Sequence, residues 1–570
     1  MADILSNQFE GAFSPLLDDY SHITFREALC DDLTDLAFTI ADIKEAVGMM
    51  DINSAPGPDS ITAYLLKEFI NVLSVPLHYI WRTSLDTGRM PEGTIQSIIT
   101  PIFKGGVRSA PKEYRPIALT NHVTKVFERV LRKVIVSHVE THRLINEAQH
   151  GFRTGRSTIS QVLRFYDSVL TLLDQGQAVD AVYLDFAKAF DKVDHIILLK
   201  KLECIHIRGN ILQWLRTFLQ NREQRVRVDS VLSSSKKVRS GVPQGSVLGP
   251  LLFLVMIGDI DEHTREAMVG IFADDTRLWR VFSGEEDAQT MQAELNKVYR
   301  WAESNNATYN DDKFEAVRFQ KHPPLAAHEP VYLTHNNTGI NFKPHVKDLG
   351  LWMSACLNFK EHIRVTLAKA HRVMGMVLRS FKSRKSAIML PLLKSLIRSQ
   401  VEYACPVWSP TDSASINQLE HLQRTFTGKF QRFRSYDEEL DMMVTNTAYA
   451  DRLKELNLFS LQRRRERYTI IYMHKIKLGM VPNPGFQQGY RRCQKFTFEP
   501  RYDRKNGRFT FFVMGPKLYN AIPAHLRELE DAIHPDASHV ATFKGKLDKY
   551  LRSLPDNPGT QANSLLNITP

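Results

Sequence analysis

The chain of 570 residues contains few cysteines, only five, and they lie far apart. Without a Cys-x-x-Cys pair or a Cys/His cluster, the sequence predicts neither a zinc module nor a disulfide framework. The acidic, mixed N-terminus is unlike a secretory signal. No apolar run reaches the roughly 18 residues that a membrane-spanning helix requires. These absences predict a protein of a reducing intracellular compartment that makes no membrane contact.

What is present is ordinary globular composition with an excess of positive charge. Hydrophobic residues make up 43% of the chain, charged residues 24%, and the formal net charge is +11. Between Lys360 and Arg434 there are 14 lysines and arginines against four aspartates and glutamates. A basic balance of this kind favours a polyanionic partner.

Hydrophobic periodicity predicts an α+β protein with a small mixed sheet. Residues 1–90 and everything after about 360 look mainly helical, and the polar tail 556–570 is expected to be disordered. Strands are predicted over residues 95–104, 178–186 and 268–281, with a hairpin over 223–239. Helices are predicted over residues 39–50, 60–83, 120–143, 157–174, 194–219 (broken near Gly209) and 287–303.

Three aspartates stand at the ends of apolar runs. Asp185 follows residues 181–184, and Asp274 and Asp275 follow residues 271–273. A carboxylate is costly to bury unless it is paired or binds a metal. Three that converge would need a cation, and two Mg²⁺ ions with such ligands drive nucleotidyl transfer. An aspartate pair in a surface turn is the alternative interpretation, so the neighbouring motifs decide between the two.

Nine short strings occur along the chain in a fixed order. They are APGPD (55–59), TPIFKGG (100–106), YRPIALT (114–120), NEAQHGFR (146–153), YLDFAKAFD (183–191), GVPQGSVLGP (241–250), FADD (272–275), NDDKFE (310–315) and VKDLGL (346–351). In this order the chain resembles the reverse transcriptase of non-LTR (LINE-type) retrotransposons, most closely the Jockey-like group. The resemblance is strong over residues 38–360 and weaker beyond. It implies a right-hand polymerase fold with fingers, palm and thumb.

The resemblance also implies roles for individual residues. Asp185, Asp274 and Asp275 would be the catalytic, metal-binding carboxylates, and Lys313 a general acid for the leaving pyrophosphate. The nucleotide-binding set would be Lys104, Arg115, Phe186, Phe190, Gln244, Gly245, Phe272 and Ala273. Among these, Arg115 would grip the triphosphate because its planar fork matches phosphate oxygens. Phe190 would exclude a 2′-OH by shape.

The implied activity is RNA-directed DNA synthesis with two Mg²⁺ ions, Mn²⁺ being an alternative, on template RNA, primer DNA and deoxynucleoside triphosphates. The implied layout is a helical extension (1–90), fingers and palm (91–355), a basic helical thumb (356–440), a C-terminal helical region (441–555) and a tail. Target-primed synthesis would take place in the nucleus, with a cytoplasmic RNA–protein particle as a further location. Nothing in the chain resembles the upstream endonuclease of these elements, so it is expected to be a fragment or a truncated copy.

Some positions depart from the family pattern. Ser60, Ala118, Met256 and Gly258 stand where other residues are usual, so a degenerate or domesticated copy that binds nucleic acid without polymerising remains an alternative. Polymerisation assayed with Asp185→Asn separates the two. His150 is predicted to be a hydrogen-bonded core histidine rather than a functional one.

Overall fold

The computed structural model describes residues 1–21, 23, 25–321, 331–437, 442–445, 447–491, 495–499, 510–528, 536–558 and 563–567. Within these ranges no helix has both the length and the apolar character needed to cross a membrane. The described chain is a mixture of helices and sheets, which agrees with the predicted α+β class.

The helices are α1 (Ala2–Glu10), α2 (Ile40–Gly48), α3 (Ala63–Glu68), α4 (Ile70–Thr87), α5 (His122–Thr141), α6 (Thr158–Asp174), α7 (His195–Cys204), α8 (Gly209–Leu219), α9 (Gly249–Met256), α10 (Glu285–Ser304), α11 (Lys360–Ser380), α12 (Ser386–Leu392), α13 (Arg398–Glu402), α14 (Cys405–Trp408), α15 (Ser413–Thr427), α16 (Tyr449–Glu455), α17 (Leu461–Lys477), α18 (Phe511–Ala521), α19 (Ala524–Arg527) and α20 (Ala537–Ser553). The strands are β1 (Gln96–Phe103), β2 (Tyr114–Leu119), β3 (Ala178–Leu184), β4 (Glu223–Val228), β5 (Val231–Leu232), β6 (Lys236–Lys237), β7 (Met268–Phe272), β8 (Asp275–Phe282), β9 (Glu315–Phe319), β10 (Tyr332–Leu333), β11 (Gly339–Phe342), β12 (His345–Asp348), β13 (Leu351–Ser354), β14 (Arg434–Asp437), β15 (Met442–Thr445), β16 (Gln488–Arg491) and β17 (Lys495–Phe498).

Local chemistry explains the helix starts. Thr39 and Ser157 each begin a helix with a capping box. The side chain of the cap accepts a hydrogen bond from the backbone N–H of the third helical residue, and the side chain of that residue accepts one from the backbone N–H of the cap. The prediction of a mainly helical N-terminal region is wrong for residues 11–39, because those of them that the structure describes form no helix. Part of that segment lies beside α7 and the start of α8: Ala28 N donates to the Cys204 carbonyl, and the backbone of Leu33 bonds to His206 and Arg208.

A six-stranded sheet in the order β10-β11-β9-β3-β8-β7 forms the centre of the molecule. Strand β3 lies between β8 and β9 and is antiparallel to both. Its side chains alternate between two hydrophobic cores: Val182 and Leu184 enter one, and Val179 and Ala181 enter the other. Burial on both faces fixes β3 rigidly, so the residue at its carboxyl end is held in place.

A second sheet, in the order β2-β1-β4-β5 with β6 beside β4, lies next to the first. Strand β1 pairs with β2 antiparallel and with β4 parallel. The N-terminal helix α1 packs Leu5 and Phe9 against Ile99, Ala118 and Val226 of this sheet. A backbone hydrogen bond of 2.8 Å from Ala118 to Gln244 joins the sheet to the Gly/Pro-rich loop 241–249.

The C-terminal region buries polar groups that look exposed in the sequence. Residues 563–567 pack against α17: Asn563 is buried, Leu565 is 5% exposed, and Arg463 donates to the Asn563 carbonyl at 3.0 Å. The Asp556 side chain accepts from Ser460 N at 2.8 Å. For these described residues the predicted disordered tail is therefore wrong, because Leu565 and the amide of Asn563 supply apolar and hydrogen-bonding contacts in a segment of polar composition.

Candidate active site

Two of the three singled-out aspartates face one cavity. Strand β3 ends at Leu184, opposite Thr276 of β8, and this register brings Asp185 beside the turn between β7 and β8 that carries Asp274. Both carboxylates line a cavity of about 370 Å³ together with Lys104, Arg115 and other residues. The convergence of Asp185 and Asp274 comes from strand pairing, since 89 positions separate them in sequence.

Asp275 points to a different side of the same turn. It lines a smaller cavity of about 150 Å³ with Arg277, Lys347 and Asp348, and Asp185 lies at the border of both cavities. Arg277 forms a buried ion pair with Asp348 of the β12–β13 hairpin. The hairpin that resembles a primer grip is thereby tied to the strand that begins with Asp275.

Electrostatics identify the aspartates as a coupled cluster. Burial raises the pKa of Asp274, and the negative charge of Asp185 raises it further. The pKa of Asp275 is raised to about 6, first by restricted hydration and then by the charges of Asp274 and Asp185. Asp274 and Asp275 thus lie close enough to the charge of Asp185 to be affected by it.

The donor chemistry of this set fits a hard divalent cation. Carboxylate oxygens are the ligands that Mg²⁺ and Mn²⁺ prefer, and a cation would relieve the repulsion that raises these pKa values. Within the described residues, however, no three His, Cys, Asp or Glu side chains converge closely enough to form a complete metal-binding group. Asp185 instead accepts a hydrogen bond of 2.7 Å from the Lys313 ammonium group, which lines both cavities.

Cations face the aspartates across the larger cavity. Arg115 extends from β2, and Lys104 follows β1 directly, so the pairing of these two strands places them side by side. Restricted hydration lowers the pKa of Lys104, and the charges of Arg115 and Lys313 lower it further. Opposed carboxylates and cations form a cavity suited to a metal-bound polyphosphate.

The Gly/Pro-rich loop forms another wall of this cavity. Gln244 lines it and donates to Asp191 at 2.8 Å. Gly245 has a φ of +136°, and a Cβ there would overlap the carbonyl oxygen of Ala118, so only glycine allows the loop to approach β2. Gly245 itself is not among the cavity-lining residues.

Glu128 of α5 supports this loop from behind, a role that the sequence did not reveal. Its fully buried carboxylate accepts from the backbone N–H groups of Val247 at 2.7 Å and Leu248 at 3.0 Å. In the sequence Glu128 stands in a basic helix with no indication of a partner 119 positions away. It was identifiable only from the tertiary structure.

Three phenylalanines of the predicted nucleotide-binding set line the two cavities, and two of them also stack on other rings. Phe190 lines the larger cavity and stacks on Phe253, with ring centroids 4.5 Å apart. Phe186 is buried and stacks on Tyr309 at 4.4 Å, while part of it reaches the same cavity. Phe272 lines the smaller cavity and pairs with Asp275 in the β7–β8 register.

The NEAQHGFR element lies directly beneath the aspartate turn. Gln149 accepts from the backbone N–H of Ala273 at 2.9 Å and is 2% exposed. Ala273 itself has a φ of +54°, unusual for a residue other than glycine. The sequence indicated this element only through the resemblance, and Gln149 was not singled out. His150 is buried and hydrogen-bonded to Ser160 at 2.7 Å, which confirms that it is a core residue.

The N-terminal helix reaches the same cavity. Gln8, Phe9 and Ala12 line it opposite Gln244. Glu10 pairs with Lys236 at 2.8 Å, and Asp3 accepts from Ser234, so both ends of α1 are fixed to the second sheet. Its sequence carries no motif that predicts this position.

The departures at Met256 and Gly258 fall in a well-packed segment. Met256 is 3% exposed, and its carbonyl accepts from Lys201 at 2.6 Å. Lys201 also donates to Asp259 at 2.6 Å, and Trp301 donates to the same carboxylate at 2.9 Å. The buried lysine and the carboxylate of this segment are therefore paired with each other and with neighbouring groups.

Comparisons with known proteins agree with this arrangement. Residues 102–350 match the family described as "Reverse transcriptase (RNA-dependent DNA polymerase)". The chain is 28% identical over 413 residues to the "Probable RNA-directed DNA polymerase from transposon X-element" of Drosophila melanogaster, covering 70% of this chain and 44% of that protein. It is 26% identical to the "Probable RNA-directed DNA polymerase from transposon BS" of the same fly (77% and 48% covered). The chain is also 25% identical to the "RNA-directed DNA polymerase from mobile element jockey" of Drosophila melanogaster (78% and 50% covered).

The chain thus spans about half the length of the curated relatives it matches. Within that span the match extends from the strand that precedes Lys104 to the hairpin at Asp348, and it includes every residue of the larger cavity except Gln8, Phe9 and Ala12. Residues 102–350 are thus similar to the reverse transcriptase family, and the chain is similar to proteins named as RNA-directed DNA polymerases of the transposons X-element and BS and of the mobile element jockey.

Proposed function

We propose that this chain is an RNA-directed DNA polymerase of a non-LTR retrotransposon, which copies RNA into DNA by target-primed synthesis. The observation that carries the proposal is the single cavity lined by Asp185 and Asp274 on one side and by Lys104, Arg115 and Gln244 on the other. Such a cavity offers both the metal-binding carboxylates and the phosphate-binding cations that nucleotidyl transfer requires. The family match and the names of the relatives support the same activity.

In this proposal the second sheet with its helices forms the fingers, and the six-stranded sheet forms the palm, together residues 91–355. Residues 1–90 extend the fingers, residues 356–440 form the thumb, and residues 441–555 form a C-terminal region. The β12–β13 hairpin, at the junction of palm and thumb, would hold the primer end. The contact of Tyr403 with the Leu349 carbonyl at 3.0 Å supports this junction.

Asp185 and Asp274 would hold two Mg²⁺ ions, or Mn²⁺, with Asp275 completing the acidic set. The ions would lower the pKa of the primer 3′-OH and neutralise the triphosphate. Lys313, whose ammonium group donates to Asp185, would be the general acid. Its ammonium group, on the border of both cavities, is available to protonate the leaving pyrophosphate.

The remaining residues bind and orient the nucleotide. Arg115 and Lys104 would hold the triphosphate oxygens, and Gln244, fixed by Asp191, would lie along the sugar and base. Phe190, backed by Phe253, would fill the space that a 2′-OH needs. Ala273 and Gly245 would act through backbone shape: one sets the aspartate turn, the other the close approach of the loop to β2.

The polyanionic partners would be template RNA and primer DNA. The exposed lysines and arginines of α11 support a thumb that holds the RNA–DNA hybrid through phosphate contacts. Target-primed synthesis would act on nuclear DNA, with the RNA–protein particle assembling in the cytoplasm.

Primer extension by the purified chain tests the proposal directly. The assay uses poly(rA)/oligo(dT), Mg²⁺ and dTTP, with Asp185→Asn as the active-site variant and the exposed Asp18→Asn as its matched control. We expect extension by the wild type and by Asp18→Asn, and a loss of roughly a thousandfold or more in Asp185→Asn, the scale of losing one group that stabilises phosphoryl transfer.

Binding of the same hybrid, measured in parallel, distinguishes a working polymerase from a copy that binds nucleic acid without polymerising. A wild type that binds the hybrid and does not extend the primer would favour a degenerate nucleic-acid-binding copy. Arg115→Lys then tests the triphosphate contact: because lysine lacks the planar fork, the KM for dTTP should rise while hybrid affinity stays the same.

A further inference from the structure

Phe152 combines two features that rarely occur together. Its backbone has a φ of +55°, a left-handed conformation that costs energy for a bulky residue, and its large aromatic side chain is 48% exposed. A loop residue free to relax would adopt neither. The surrounding structure must therefore impose this conformation, and the contacts on both sides of Phe152 show how.

The residues before and after Phe152 are fixed. A Cβ on Gly151 would overlap the backbone nitrogen of Ala273, so the chain here lies directly against the aspartate turn. Gly151 N also donates to the buried side chain of Gln149 at 2.6 Å. On the other side, Arg153 is buried, pairs with Glu140 at 2.7 Å and donates to the Asn146 carbonyl at 2.7 Å.

Phe152 is thereby held against Phe190, an aromatic residue that lines the larger cavity. Its ring centroid lies 6.0 Å from that of Phe190, in an edge-to-face arrangement of 79°. Phe190 stacks on Phe253 at 4.5 Å and 14°, and Phe253 is 2% exposed. Phe190 is thus contacted by two rings in different orientations, one buried behind it and one exposed beside it.

We propose that Phe152 is a positioning residue for sugar selection: its strained turn braces the ring of Phe190 so that the space for a 2′-OH stays closed. The inference rests on the proposed polymerase function and on the predicted role of Phe190. Stacking on Phe253 alone fixes the plane of Phe190 and leaves sliding within that plane free. The edge-to-face contact with Phe152 restricts this sliding, because aromatic pairs favour defined offsets.

Discrimination between dUTP and UTP on poly(rA)/oligo(dT) measures this effect, because the two nucleotides differ only in the 2′-OH. We expect Phe152→Ala to lower the ratio of kcat/KM for dUTP over UTP by about threefold to tenfold, the scale of losing one aromatic pair contact. Phe152→Tyr keeps the ring and should restore the ratio. The exposed Phe69, at the start of α4, supplies the control Phe69→Ala, which should leave the ratio unchanged.

Phe152→Gly separates positioning from folding. Glycine adopts a φ of +55° without strain, so this variant should be at least as stable to heat as Phe152→Ala and yet show the same reduced ratio. An unchanged ratio in both variants, with active enzyme, would overturn the inference and leave the proposed function in place. A loss of hybrid affinity at constant ratio would also overturn it, and would make Phe152 a template contact. A wild type that incorporates neither nucleotide would refute the proposed function itself.

Discussion

Two segments of this chain are rich in positive charge and have opposite roles in the structure. Along α11 the lysines and arginines are exposed, among them Lys369, Arg372 and Arg379 on one face. In α17 the run Arg463–Arg464–Arg465–Glu466–Arg467 is largely buried, and Arg463 and Arg465 are 0% and 1% exposed. The first segment is available to a polyanion, whereas the second is an internal part of the protein.

The difference lies in the partners that the fold supplies. Arg464 pairs with Glu402, and Arg467 with Asp548, both far away in the sequence. Arg465 lies near Glu420, whose carboxylate accepts from Gln462 N at 2.6 Å and Tyr449 at 2.9 Å. Desolvated charges of this kind require compensating charges and hydrogen bonds. A count of lysines and arginines therefore identifies a nucleic-acid surface only once burial is known.

The largest expected effect comes from removing the buried charge. Arg465→Ala leaves the buried Glu420 without its neighbouring cation and opens a cavity, and we expect a loss of about 3–5 kcal/mol in unfolding free energy. Urea unfolding measures it. The affinity of the folded variant for an RNA–DNA hybrid should not change. Weaker binding with unchanged stability would instead place Arg465 at a nucleic-acid surface.

Glu466, within the same cluster, should make stability depend on pH. Burial raises its pKa from 4.5 to about 7. The folded state therefore holds this proton where the unfolded state has released it, and stability should fall as pH rises from about 4.5 to 7, by an amount of the order of 3 kcal/mol. Glu466→Gln should flatten this part of the profile, as thermal melts across the range would show. If stability falls with pH in the same way in the wild type and in Glu466→Gln, the Glu466 carboxyl is not buried in its neutral form.

Substitutions on the exposed face of α11 should change nucleic-acid binding rather than stability. Replacing Lys369, Arg372 and Arg379 together by glutamine should weaken hybrid binding about tenfold to thirtyfold near physiological salt. It should also reduce the slope of log K against log salt by about one per lost phosphate contact. Stability should change little. The double variant Arg464→Gln/Arg467→Gln is the matched control, which should be destabilised with its salt slope unchanged.

The smallest effect concerns the segment that covers α17. The Asn563 amide donates to the Asp556 carboxylate at 2.9 Å, and its backbone carbonyl accepts from Arg463. Asn563→Ala should cost about 1–2 kcal/mol, because it removes a buried hydrogen bond and leaves polar groups unpaired. Proteolysis of residues 556–567 should become faster in parallel. An unaffected proteolysis rate would show that this segment is held by other contacts, such as those of Leu565.

Local patterns were sufficient for most of the central elements. The predicted helix over 157–174, the predicted strand over 178–186 and the predicted break near Gly209 agree with α6, β3 and the start of α8 to within a few residues. The predictions differ from the structure for the described residues of 11–39 and for residues 556–558 and 563–567 of the tail, because the order of these residues depends on contacts with distant elements rather than on their own periodicity.

The residues of the candidate site also fall into two groups, those that sequence motifs named and those that only the structure revealed. The aspartates, Arg115, Phe190 and Gln244 were named from short strings in a fixed order, and the structure brings them to two adjoining cavities. Glu128, Gln149, Phe152 and helix α1 were not identified, because each acts on a partner far along the chain. Glu128, for example, supports a loop 119 positions away.

The sequence by itself determined the chemistry of this protein: which carboxylates, cations and rings are present, and in what order the strands and helices carry them. Only the tertiary structure decided which charges face a common cavity and which neutralise one another inside the fold. The physical reason is that the type of a side chain fixes its charge and hydrogen-bonding capacity, whereas its exposure and partners depend on packing between segments distant in sequence.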